Sequence, residues 1–64
     1  GSDQTYWLAK AFVTLGDSFA ERDDMAQAKA TFESVRDGYE PSGKNDDILD
    51  NVNMRLKKIA QREK

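Results

Sequence analysis

Apolar side chains recur along this chain at three- and four-residue steps in three stretches, the spacing that aligns one face of an α-helix. The first stretch runs roughly from Thr5 to Arg22 and places Leu8, Ala11, Phe12, Leu15 and Phe19 on one predicted inward face, with Asp3 or Thr5 as its N-cap. Tyr6, Ala9, Val13 and Ala20 fall outside that stripe. They widen the apolar arc beyond what one neighbour requires, so this helix is expected to touch more than one thing. In the second stretch Met25, Ala28, Phe32 and Val35 form the predicted buried stripe, with Thr31 at its edge. In the third, Ile48, Leu49, Val52, Leu56, Ile59 and Ala60 share a face and Met54 is predicted exposed.

The punctuation between these stretches is equally legible. Within "ERDDMAQ", Asp24 is a good N-cap, and Gln27 three positions later completes a capping-box pattern. Gly38 is expected to end the second helix in the left-handed conformation, with Tyr39 folding back as a hydrophobic contact and Pro41 blocking continuation. "EPSGKN" is the loop before the third helix, with Asn45 as its expected cap. That helix begins with Asp46, Asp47 and Asp50 and ends with Lys57, Lys58, Arg62 and Lys64, a polarity that suits its macrodipole.

Composition narrows the chemistry. The 64 residues contain no cysteine and no histidine, which removes disulfides, thiolate metal sites and the commonest general base and metal ligand. Catalysis would rest on carboxylates, lysines or hydroxyls alone. No nucleophile, base and orienting group can be assembled, and there is no glycine-rich phosphate loop, so an enzyme is not expected. The formal net charge is −2, with four Lys/Arg against eight Asp/Glu in residues 1–43 and six against four in residues 44–64. The basic tail lacks interleaved aromatics, so nucleic acid is not an expected partner. Apolar runs are too short for membrane insertion. "NDDILD" fails as a calcium loop: Asn51 stands where glycine is needed and Lys57 where glutamate is needed. No cofactor is expected. Gly1-Ser2 has the look of a scar left by tag removal, which suggests a fragment of a longer protein.

Between Ala9 and Pro41 the residues resemble a tetratricopeptide repeat (TPR): Phe12, Leu15-Gly16 and Phe19 in a first helix, Ala28 and Phe32 in a second, and Pro41 closing the unit. Gly16 and Ala28 lack bulk, so two antiparallel helices can approach closely. Asp23 stands in place of the usual turn glycine, Val35 in place of alanine, and Pro41 comes one residue late. The expected fold is therefore all-α, with a tag scar at 1–2, a TPR-like helix-turn-helix hairpin at 3–41, and a loop and amphipathic capping helix at 42–64.

The resemblance implies a non-catalytic scaffold module, the terminal unit of a larger array that binds a peptide or protein partner. Its groove would present Lys10, Val13, Asp17, Ala20 and Glu21, which the helical projection also gathers on one side. The basic-plus-asparagine set that clamps chaperone tails is absent, because Val13 and Asp17 occupy those places. Tyr6 and Trp7 are candidates for an interface and support an alternative, a module that forms a homo-oligomer through an aromatic patch. Trp7 is otherwise expected to be buried at the core edge.

Overall fold

Two adjacent aspartates make the first turn. Asp23 takes the left-handed conformation at φ 60°. That places its N–H on Ala20 O at 3.0 Å and the N–H of Asp24 on Phe19 O at 2.8 Å, the paired hydrogen bonds of a Schellman motif. Asp24 then caps the next helix, its carboxylate accepting from the Gln27 N–H at 3.3 Å. One residue closes a helix and its neighbour opens the following one, so an aspartate performs the turn for which glycine is more usual.

The computed structural model describes residues 2–41 and 46–62, with side chains from Thr5 onward. Among the described residues the chain is all-α, with α1 over Ser2–Glu21, α2 over Met25–Gly38 and α3 over Ile48–Arg62. α1 and α2 form a hairpin, and α3 packs on it with more of its contact to α2 than to α1. The helix α1 begins before Thr5, which is therefore an internal residue of α1 and not its cap. Asp3, the other expected cap, is internal to α1 as well, while the expected cap Asn45, and Lys64 in the basic tail, lie outside the described residues. α3 opens instead on Asp46, whose carboxylate accepts from the Ile48 N–H at 3.0 Å.

α2 ends differently from expectation. Gly38 is its last helical residue and has no positive φ. Tyr39 terminates the helix in an extended conformation, its N–H donating to Val35 O at 2.9 Å. The Tyr39 ring is buried and its hydroxyl donates to the Asp46 carboxylate. Docking of that side chain pulls the backbone into extension, so no left-handed glycine is needed.

The core consists of Ala9, Val13, Ala28, Phe32, Val35, Tyr39, Ile48, Val52 and Ile59. In the stripes expected in α2 and α3, Ala28, Phe32, Val35, Ile48, Val52 and Ile59 are buried, Met25, Leu49 and Leu56 are half-buried against them and Ala60 is exposed, while Met54 is exposed as expected. α1 is turned from its expected orientation. Tyr6, Ala9, Val13, Gly16 and Ala20 face inward, whereas Ala11 is exposed and Leu8, Phe12 and Leu15 remain 58%, 42% and 42% exposed. Phe19 is half-buried against the core.

The reason is steric. Gly16 lies against the ring of Phe32, which is 1% exposed. A Cβ added at Gly16 would lie 2.7 Å from Phe32 Cζ, well inside van der Waals contact. The helix can approach this closely only on a row of small or slender side chains, and Ala9, Val13 and Ala20 share the row with Gly16. The bulkier Leu8, Phe12 and Leu15 lie about a quarter to a third of a turn away.

Gly16→Ala should gain about 1 kcal/mol of helix propensity yet lose about 1–3 kcal/mol through overpacking against an enclosed ring. The two sum to a loss of up to about 2 kcal/mol, so a thermal melt should show a Tm no higher than that of the parent. A rise would mean that the Gly16–Phe32 contact does not set the helix spacing. Asp23→Gly should raise stability by about 0.5–1 kcal/mol by relieving the left-handed conformation, read from a denaturant titration of the two proteins.

Candidate interaction surface

Two faces of α1 compete for attention. One carries the residues predicted to form an open groove. Lys10, Val13 and Asp17 do line a common cleft of about 330 Å³, but α3 supplies its opposite wall through Asp47, Ile48, Asn51 and Arg55. Val13 belongs to the core and Ala20 packs on it. Lys10 and Glu21 are exposed. The five residues thus do not form one open surface, because the third helix is seated where a ligand was expected.

Asp17 is the clearest case. The guanidinium of Arg55 donates from Nε to Asp17 Oδ1 at 2.8 Å and from Nη2 to Oδ2 at 3.1 Å. Its third nitrogen, Nη1, donates to the Asn51 carbonyl oxygen at 3.2 Å and to Asn51 Oδ1 at 3.3 Å. This planar fork matches the carboxylate and fixes α3 across α1. No local pattern in the sequence signals a pair 38 positions apart. A weaker pair, Arg62 Nη2 to Asp23 Oδ1 at 3.5 Å, links the far end of α3 to the first turn.

At the start of α1, Tyr6 and Trp7 meet edge to face with centroids 5.4 Å apart. The Lys10 ammonium lies 5.6 Å from each ring centroid. Tyr6 is half-buried against the core, while Trp7 is 64% exposed and does not fill the core edge as expected. Its position on α1 lies nearly opposite the inward row of Ala9, Val13, Gly16 and Ala20, beside the exposed Lys10, Ala11 and Thr14, so it stays in solvent.

The other face lies away from α3. There Leu8, Ala11, Phe12 and Leu15 form an exposed ridge along α1. Beside it, on α2, the small residues Ala30, Ser34 and Gly38 are exposed at four-residue spacing, and Ser34 and Gly38 line the cleft between the helices. The cleft between the helices on this side, about 180 Å³, has no charged residue in its lining, in a chain that is 34% charged. Two hydroxyls of α2 on this side are bonded within their own helix: Ser34 Oγ donates to Ala30 O at 3.0 Å and Thr31 Oγ1 to Gln27 O at 2.8 Å. Covering this face would therefore strip little water from unpaired polar groups. Of the positions on which the repeat resemblance rests, Phe12 and Leu15 belong to this ridge, Gly16, Ala28 and Phe32 to the interior, and Pro41 to the exposed chain after α2, while Phe19 is half-buried.

Chemistry beyond packing is sparse. Among the described residues no cluster of three or more carboxylates is placed to hold a metal ion. Arg36 holds the Asp37 carboxyl below its ordinary value through a hydrogen bond at 2.9 Å, and Asp37 raises the guanidinium in turn. Both are exposed neighbours outside the clefts described, which marks a surface ion pair and not a reactive group. No described helix is long and apolar enough to cross a membrane. Comparison with models of known families, with curated proteins and with solved structures found no match.

The Asp17–Arg55 pair is partly sheltered and bidentate, so its coupling should lie near the top of the range for exposed pairs, about 1 kcal/mol. A double-mutant cycle with Asp17→Ala and Arg55→Ala, followed by urea unfolding, measures it. Additive single effects would show that this pair does not help to hold α3.

Proposed function

We propose that this chain is a non-catalytic protein-interaction module: a TPR-like helical hairpin with a capping helix, acting as the terminal unit of a larger array and binding a peptide or protein partner. The observation that carries this reading is the exposed apolar ridge on α1 beside a cleft with no charged residue in its lining. Leu8, Phe12 and Leu15 are large, exposed and adjacent on one helix face, and soluble domains seldom leave such a group uncovered without a use for it. The depletion of charge across the face matches the buried centre of a protein interface. The resemblance of residues 9–41 to a TPR gives the same reading from the sequence.

Within this reading the working surface moves from the predicted groove to the opposite side of the hairpin. Lys10 and Glu21 remain accessible but flank a cleft already walled by α3. A second reading, self-association through Tyr6 and Trp7, draws support from the exposed indole. Only Trp7 of that pair is largely available, which makes for a small anchor.

Photo-cross-linking with this chain tests the choice of surface. A photoreactive side chain replacing Leu8 should cross-link a partner, whereas the same group replacing Lys10 should not; both positions are exposed and tolerate the change. Cross-links from position 10 alone would return the binding surface to the α1–α3 side. Cross-links from neither position would remove the proposed partner-binding role from this hairpin.

A further inference from the structure

We infer that the cleft where the three helices meet beside the first turn is a binding site for an aliphatic carboxylate of medium chain length. The inference goes beyond the protein-interaction reading and does not depend on it, because this cleft lies on the α3 side of the hairpin, away from the exposed ridge of α1.

The cleft has a volume of about 340 Å³, within the range of small-ligand sites, about 300–1,000 Å³. Its floor is apolar and comes from all three helices: Ala20 of α1, Met25 and Phe32 of α2, and Met54 and Ile59 of α3. Phe32 and Ile59 are fixed in the core beneath it. Met25 and Met54 are the only two methionines in the chain. Met54 is 48% exposed and Met25 is half-buried, so both unbranched thioethers can adjust to the shape of a ligand.

The rim is cationic. Arg55, Lys58 and Arg62 line the cleft against one carboxylate, Asp17, in a chain whose net charge is −2. Arg55 is committed to Asp17 through both ends of its fork, so these two cancel and two positive charges remain. Lys58 is exposed and has no ion pair among the described residues. Arg62 reaches only the exposed Asp23, at 3.5 Å, a surface pair that is readily exchanged. Lys58 and Arg62 stand four positions apart and are therefore neighbours on α3. A single carboxylate between them accepts from both.

The chemistry of the walls selects the occupant. An extended peptide carries an N–H and a C=O at each residue and needs partners for them in any groove it fills. The floor here presents only apolar side chains, so peptide amides laid on it would lose water and gain no partner. An alkyl chain has no such groups. From Arg55 to Arg62 the rim runs about 10 Å at the helical rise, the reach of an extended chain of about eight carbons with bonds of about 1.5 Å. A carboxylate held by Lys58 and Arg62 leaves such a chain lying on the methionine floor.

Both methionines line the cleft, so their ε-methyl groups report on it directly. An NMR titration of the chain, labelled at the methionine methyls, with decanoate below its micelle-forming concentration should shift both signals and saturate. Lys58→Gln combined with Arg62→Gln should weaken that binding by about ten-fold or more. Both side chains are exposed, and helicity by circular dichroism confirms that the double variant folds. Decylammonium, with the same chain and the opposite charge, should give no saturating shift. Equal responses to decanoate and decylammonium overturn the site, as does decanoate binding that is unchanged in the double variant or the absence of any shift at the two methyls. An acidic peptide that shifts both methyls where decanoate does not would give the cleft to a protein segment and overturn the assignment as well. The position-8 cross-link reads the other side of the hairpin, so its failure removes the interaction module and leaves this site standing.

Discussion

The close approach of Gly16 to the Phe32 ring governs the rest of the molecule. A single aromatic side chain at 1% exposure occupies the centre of the core. A glycine opposite it is what allows the first two helices to close around it. Burying a ring of this size is worth about 1.5–3 kcal/mol, a large fraction of what a domain of this length can hold in total. The rotation of α1 follows from that contact, since the helix must turn its slenderest row toward its neighbour. Once it has turned, Val13 and Ala9 enter the core, and Leu8, Phe12 and Leu15 are carried out to the surface.

The same rotation explains how the third helix finds its place. With Val13 and Ala20 inward, Asp17 is directed toward α3, where Arg55 meets it with both ends of its fork. Ile48, Val52 and Ile59 supply the apolar face that seals the hairpin from that side. The ion pair orients α3 more than it stabilises it, because both partners retain some contact with water. A three-helix domain of this kind has one closed side, where α3 sits, and one open side, where the hairpin shows its largest apolar residues.

Most of the architecture was legible in the sequence because it depends on local signals. The three periodic segments, the buried stripes of α2 and α3, the capping pair Asp24 and Gln27, and the left-handed turn at Asp23 follow from spacing and turn chemistry acting over a few residues. The inward face of α1 did not follow, because α1 is apolar on two sides and hydrophobic size favoured the wrong one. A usable signal was present: Gly16 marks a close approach, and Ala9, Val13 and Ala20 on its row are the small and slender side chains such an approach demands. The expected groove failed with it, since Val13 cannot both line a ligand site and fill the core. The link from Asp17 to Arg55 and the ending of α2 on Tyr39 depend on contacts between elements, which spacing along the chain does not encode.

Trp7 has a consequence for spectroscopy. It is the sole tryptophan, and at 64% exposure with a lysine ammonium 5.6 Å from its ring centroid it already occupies a wet, polar setting in the native fold. Its emission therefore starts close to that of an unfolded chain and reports on the first turns of α1, not on the interior. The core is represented optically by Tyr39, whose buried ring and hydrogen-bonded hydroxyl give a fixed, asymmetric chromophore. Near-ultraviolet circular dichroism of that tyrosine follows the loss of tertiary packing, while indole fluorescence follows events at the surface.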